Sequence, residues 1–292
     1  MSWLSKYLRE RKRRKLEENV LSILSDTTPW DTRRAEKDFD RLQNFYPPFD
    51  SGYLYDEYSI WERCIYRSLT LLKIPGMEQT GKRVLELGCG EGFTGTLLHC
   101  YGHSVYLNDQ RDRRLEKCQH LPFIQVDICD PEKTATIPGE LDLIFSYNAM
   151  EHFPNPLQVF QNIVPKLKKK GHIYLHFNPL YGAPRGLHAY SIMNMPYPQF
   201  LFSEEFIFQK MKEIETTLFG EKSGQLQYVN RWLYHQYEEL WKYPGLPVVF
   251  IHRHTDFSSL EVVLQYPECF RGRGLTWEDI TTSGYEVLLR KE

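Results

Sequence analysis

The chain has 292 residues, enough to bury a full core, and its apolar share of 41% and charged share of 25% are ordinary for a globular protein. A formal net charge of −2 provides no global basic field, which argues against a nucleic-acid binder. No apolar run approaches the ~20 residues that span a bilayer, and charges precede any apolar stretch at the N-terminus, so neither a membrane span nor a signal peptide is expected. The cysteines, Cys64, Cys89, Cys100, Cys118, Cys129 and Cys269, have no zinc-knuckle or redox spacing. They read as free thiols in a reducing, cytoplasmic setting. Aromatics reach 14%, with 19 Tyr and 17 Phe. Many lie outside the central region, as in a cap over an apolar or planar substrate, or simply an aromatic-rich core.

Residues 1–24 read as a basic helix, with Lys6, Arg9 and the run Arg11 to Lys15 among Trp3, Leu4, Leu8 and Leu16. Such an arm suits an anionic membrane surface or a nucleic-acid backbone. Its apolar stripe is thin, so a solvated or packing helix is the preferred reading. Residues 26–52 are polar, with Pro29, Pro47 and Pro48, and read as a connector. Residues 53–72 form a second helical segment anchored by Trp61 and Ile65, with Tyr53 and Tyr55 as candidate lid residues. Residues 84–87, Val-Leu-Glu-Leu, form a short apolar strand entering a loop with Gly88, Gly90 and Gly92 around Cys89. Helical spacing follows over 93–100. This strand–loop–helix brings backbone close to a ligand. A dinucleotide fingerprint needs a third glycine where Phe93 stands. Glu86 beside the loop would repel a pyrophosphate and attract a cationic tail.

Three further strands, 104–108, 123–126 and 141–146, each end in a polar residue: Asp109, Asp127 (followed by Ile128) and Asn148. Asp109 lies about 20 residues past the loop, where a carboxylate holds a ribose diol. Residues 84–92, with Asp109, Asp127-Ile128 and Tyr147 to His152, resemble the successive motifs of class I S-adenosylmethionine-dependent methyltransferases. The resemblance covers about residues 80–178. It implies that the cofactor is S-adenosyl-L-methionine, with Glu86 near its amino-acid end and Gly88, Cys89, Gly90 and Gly92 packed against it. Asp127 would meet the adenine amino group, the Ile128 amide the ring, and the Asn148 segment would close over the cofactor.

The alternation of strands and helices over 81–178 predicts an α/β fold with a parallel sheet. A helix is expected over 156–170, its Lys-Lys-Lys run closing the last turn before Gly171. A fifth strand, 172–177, follows. Residues 178–229 break the pattern. A helix near 231–242, a strand at 247–251 and a last strand at 285–290 complete the sheet. The resemblance makes it a Rossmann-like, mostly parallel seven-stranded sheet with helices on both faces and an antiparallel last strand. The expected organisation is an N-terminal helical arm and lid, 1–78, and a methyltransferase domain, 79–292. Insertions at 178–229 and 253–283 would form its substrate cap.

Ligands in such sheets bind outside the carboxyl ends of the strands. The loop after the fifth strand falls there and offers His188 as a base for an oxygen acceptor, with Tyr181 and Arg185 to orient it. Glu151 and His152 read first as helix-capping and floor residues. His252 and His254 flank the sixth strand. No cluster has metal-ligand spacing, which argues against a metal-assisted, catechol-type enzyme. The expected reaction is methyl transfer to oxygen or nitrogen of a small molecule: a sugar, a glycan precursor or a secondary metabolite. The alternatives are an RNA or protein methyltransferase that uses the basic arm, and a non-catalytic cofactor-binding partner subunit. The acceptor atom and the oligomeric state stay open at this level.

Overall fold

Seven strands form one sheet: β1 (Arg83–Leu87), β2 (Ser104–Asp109), β3 (Phe123–Gln125), β4 (Leu141–Tyr147), β5 (Leu167–Phe177), β6 (Val248–Thr255) and β7 (Thr282–Arg290). Their spatial order is β3-β2-β1-β4-β5-β7-β6. Strands β1 to β5 are parallel neighbours. Strand β7 runs antiparallel to β5, with His172 opposite Arg290 and Phe177 opposite Tyr285. This is the mostly parallel, Rossmann-like sheet expected from the sequence. Val84, Leu85 and Leu87 of β1 are all fully buried, as a central parallel strand covered on both faces requires.

The computed structural model describes residues 3–48, 56–190, 192–213, 217–218, 221–222 and 228–292. The lid candidates Tyr53 and Tyr55 lie outside the described residues. The chain divides into two units. One, here the sheet unit, comprises 52–178, 228–254 and 284–292. The other, the helical unit, comprises 1–51, 179–227 and 255–283.

In the sheet unit, one core joins Val84, Leu143, Phe145, Tyr174 and Leu288 to Leu71, Ile74 and Met77 at the end of the helix Glu57–Leu71. That helix is capped by Asp56, whose carboxylate accepts the Ser59 N–H at 3.0 Å. Its Ile60 and Cys64 pack with Phe93 and Cys118. Phe177 packs against Tyr237 (5.2 Å) and Tyr285 (6.0 Å), and Trp241 lies 5.4 Å from Tyr285. Phe177 and Tyr285 point to the face opposite Tyr174 and Leu288, so the sheet is packed on both sides.

The lysine run is not the end of a helix. The helix stops at Ile163, a short turn covers Val164–Lys166, and Leu167 already belongs to β5. Pro165 explains this, because it lacks an N–H and clashes with the preceding turn.

The helical unit contains the long helix Trp3–Ser25 and several short ones. Within the expected connector 26–52, the described residues 26–48 are partly helical, Arg33–Lys37 and Phe39–Phe45, and packed rather than loose. Phe39 lies 5.4 Å from both Phe202 and Phe206, and Glu36 accepts from the Ser203 N–H (3.0 Å) and Oγ (2.7 Å). Tyr266 donates to Asp38 at 2.8 Å. The N-terminal helix buries Val20 and Leu24, while Arg11 to Lys15 are exposed. It is a packing helix with one charged stretch.

Candidate cofactor site

The site is built where β1, β2 and β4 end. Strand β1 delivers Glu86 almost fully buried, at 5% exposure. Burial pushes its carboxyl up to about 8, opposed mainly by the Gly95 N–H and by Arg67. Gly95 donates to Glu86 Oε2 at 2.9 Å. A Cβ at Gly95 would lie 2.8 Å from that oxygen and 2.5 Å from Leu107 Cδ2, so only glycine fits. Spacing alone did not single out Gly95, because its role depends on how the helix Phe93–Tyr101 packs onto β1 and β2.

The loop glycines have different duties. All three have positive φ: 62° at Gly88, 50° at Gly90 and 73° at Gly92. A Cβ at Gly88 would collide with Ala149 Cβ at 2.6 Å, so this glycine lets the segment after β4 close on the loop. A Cβ at Gly90 would meet nothing within 4 Å. Gly90 therefore faces open space, as backbone receiving a ligand should. Cys89 donates its N–H to the Asn108 carbonyl at 2.9 Å, and burial pushes its thiol well above the ordinary range. It is a structural thiol.

Asp109 clamps the loop. Its Oδ2 accepts the Gly90 N–H at 3.1 Å and its Oδ1 accepts the Arg111 N–H at 3.2 Å. Asn108, fully buried, staples β2 to β3 by donating to the carbonyls of Ile124 (2.9 Å) and Val126 (3.1 Å). Asp127 accepts the Cys129 N–H at 2.9 Å. The Ile128 carbonyl accepts from Asn162 at 2.8 Å. Ser146 Oγ donates to the Leu87 carbonyl at 3.0 Å and joins β4 to β1.

Asn148 sits at φ 49°, tolerated by asparagine, and donates its N–H to the His176 carbonyl at 2.8 Å. Its buried Oδ1 has no hydrogen-bond partner among the described residues. Glu151 is 1% exposed, neither of its oxygens has such a partner, and burial raises its carboxyl to about 8. Buried acceptors of this kind are costly unless a ligand or water satisfies them. Arg67, which the sequence did not reveal, lies with its guanidinium 4.6 Å from the Tyr147 ring centroid. Its carbonyl accepts from Tyr147 Oη at 3.3 Å. Its charge is felt at both Glu86 and Glu151.

His152 donates through Nδ1 to the Tyr228 carbonyl at 2.5 Å, and burial lowers its basicity. His176 is driven down to about 4, by burial first and then by His254. His254 lies 5.5 Å from His176 and 4.6 Å from His252. Among the described residues no group of His, Cys, Asp and Glu could hold a metal ion. Among the same residues no helix is long and apolar enough to cross a membrane.

The catalytic candidates belong to the helical unit. His188 is 3% exposed at φ 57°, and its Nε2 donates to the Pro179 carbonyl at 2.9 Å, which makes Nδ1 the basic nitrogen. Arg185 donates to the carbonyls of Asn194 (2.7 Å) and Met195 (3.5 Å). The Tyr181 ring meets Phe200 edge-on at 5.9 Å, and its carbonyl accepts from Gln199 at 2.7 Å. The loop carrying these three residues is tightly wound. A Cβ at Gly182 would strike the Asp279 carbonyl at 2.0 Å, and one at Gly186 the Tyr181 carbonyl at 2.1 Å.

The glycine-loop site fits S-adenosylmethionine. Gly90 leaves room for it, Asp109 is placed at a strand end for a diol, Glu86 is a buried carboxyl suited to a cation, and Asn148 keeps an unsatisfied acceptor.

Residues 85–175 match a family model described as a methyltransferase domain. A ubiquinone biosynthesis O-methyltransferase of Dechloromonas aromatica is 28% identical over 103 residues, 32% of this chain and 44% of that protein. A protein of the same name from Vibrio parahaemolyticus is 30% identical over 102 residues, 32% of this chain and 43% of its own length. The chain thus spans less than half the length of the curated relatives it matches. Among solved structures, a putative S-adenosylmethionine-dependent methyltransferase from Listeria monocytogenes aligns with a TM-score of 0.47 at 14% identity, covering 79% of this chain and 99% of that one. A putative sarcosine dimethylglycine methyltransferase from Galdieria sulphuraria aligns with a TM-score of 0.47 at 15% identity, covering 89% and 98%.

Proposed function

We propose that this chain, whose residues 85–175 match a methyltransferase domain, is a class I S-adenosylmethionine-dependent methyltransferase that methylates an oxygen or nitrogen of a small molecule. The observation that carries this reading is Glu86. It is a nearly buried carboxyl beside a glycine loop that is open at Gly90, a pairing suited to a cationic ligand, which would favour its ionised form. Glu86, the loop, Asp109, Asp127, Ile128 and Asn148 hold the cofactor. When bound, the cofactor supplies a methyl group already activated by its sulfonium. The protein's share of the work is to align the nucleophile and exclude water.

Oxygen is the favoured acceptor atom, because the similar curated proteins are named O-methyltransferases. The near-neutral charge favours a small molecule over RNA. His188 serves as base through Nδ1, with Tyr181 and Arg185 positioning the acceptor. The substrate cap is assigned to the insertions at 178–229 and 253–283. Glu151, whose carboxyl burial raises to about 8, is the second candidate base.

The test is methyl transfer from labelled S-adenosylmethionine to a panel of hydroxylated, phenolic and amine acceptors, alongside RNA. Label on a small acceptor supports the reading. Label on RNA alone contradicts it.

A further inference from the structure

The parallel strands of the sheet unit have a second end, away from the glycine loop, and a cavity of about 430 Å³ opens there. Its polar lining is Lys82, Asp142, Lys168, Lys170, His172 and Arg290. Pro75, Met77 and Val249 supply an apolar wall. We propose that this cavity binds a small ligand carrying a phosphate group on an apolar or ring-bearing body.

The charge balance carries the argument. Four permanent cations face one carboxylate, and that carboxylate is already occupied. Asp142 accepts the Arg83 N–H at 2.9 Å and is ion-paired with Lys168. Among the described residues, Lys82, Lys170 and Arg290 have no ion-pair partner. Lys82 makes only a 3.4 Å contact with Gln79 Oε1. Gathering uncompensated cations in a concave site costs energy that a polyanion returns through charge-assisted hydrogen bonds.

Lys170 adds a second, independent observation. It sits at φ 64°, a strained conformation for a residue with a side chain and one where glycine would be unstrained. The turn is held by Lys170 N–H to the Lys291 carbonyl (3.0 Å) and Lys291 N–H to the Gly171 carbonyl (2.8 Å). A charged side chain is thus retained on strained backbone at the rim of the cavity. His172 stands directly opposite Arg290 across the β5–β7 pair and is 7% exposed. Burial, then Arg290, lowers its basicity, so it is a neutral imidazole able to donate one further hydrogen bond.

Size points to the class of ligand. A cavity of this volume lies in the range of small-molecule sites, and bare phosphate would leave most of it empty. The apolar wall matches a ring or short chain attached to the phosphate.

The experiment is calorimetry of the whole protein with pyrophosphate and AMP, and sedimentation with phosphatidylglycerol vesicles. It compares wild type with the double variant Lys170→Gly, Arg290→Gln. Lys170→Gly relieves the backbone strain, so loss of folding is not expected. The account predicts that one of these probes binds and that the variant weakens it by about tenfold or more. S-adenosylmethionine affinity should stay within about twofold. Binding of AMP identifies a soluble phosphate ester as the source, whereas pyrophosphate bound more tightly than AMP overturns the assignment of an apolar or ring-bearing body. Binding of the vesicles alone identifies a lipid headgroup. Absence of binding by all three probes, or equal binding by wild type and variant, overturns the proposal.

Discussion

The two units are built by different logics. In the sheet unit each site residue stands at the end of a strand whose pattern is local: Glu86 inside β1, Asp109 at the end of β2, Asn148 just past β4. In the helical unit the contacts join segments far apart in the chain, such as Glu36 with Ser203, Asp38 with Tyr266 and Gln43 with Asn194. A cofactor pocket can therefore be specified by short motifs, whereas the unit that holds His188 and Tyr181 is specified by long-range packing. Variants can test the proposal that cofactor binding lies in the first unit and His188-based acceptor chemistry in the second.

The largest expected effect lies in the sheet unit. Gly90→Val puts a side chain into the open space beside the loop and strains a backbone at φ 50°. Cofactor affinity measured by calorimetry should fall by about 100-fold or more, with circular dichroism unchanged. Retention of affinity would mean that the space at Gly90 is not the cofactor's.

In the helical unit, His188→Ala should cut turnover on an oxygen acceptor by about 100-fold while leaving cofactor affinity intact. A loss within about threefold would remove His188 and make Glu151→Gln the next variant to assay.

A smaller effect concerns pH. Glu86 and Glu151 have folded pKa values of about 8, above their unfolded values near 4.5. The folded state therefore binds more protons, and this contribution to stability is fully present below the unfolded pKa and is lost as pH rises through about 8. Between about pH 6.5 and 8, above the range of the buried histidines, the ligand-free protein should lose up to about 1 kcal/mol per pH unit per group. Glu86→Gln should flatten the denaturation profile over that window. A profile already flat in wild type would show that these carboxyls ionise normally.

The smallest effect should come from the N-terminal helix. Removing residues 1–15 spares the buried Val20 and Leu24, so cofactor affinity should stay within about twofold. A tenfold loss, about 1.4 kcal/mol, would tie this helix to the cofactor site and blur the division between the units.

The legibility of the sequence follows the same divide. Strand periodicity placed Glu86 on β1, and the interval from the glycine loop singled out Asp109, though as a diol carboxylate and not as the acceptor of the Gly90 N–H. The seven-stranded, mostly parallel sheet and its reversed last strand followed from the resemblance. Gly95, Arg67 and the staple formed by Asn108 were not legible, because each acts on a partner brought near only by packing. The short helices Arg33–Lys37 and Phe39–Phe45 were missed because a five- or seven-residue polar helix has little periodicity of its own. The lysine run was misplaced because its composition suits a helix end, while Pro165 and the pairing of β5 with β4 put it in a strand.

The most direct test of the central claim is calorimetry of S-adenosylmethionine against the wild-type protein at pH 7, in two buffers of different ionisation enthalpy. Glu86 is mostly protonated in the free protein, and the cofactor's cationic amino-acid end favours the carboxylate. Binding should therefore release most of one proton, seen as a buffer-dependent heat that Glu86→Gln abolishes. Absence of S-adenosylmethionine binding, or binding of NAD in its place, would contradict the account.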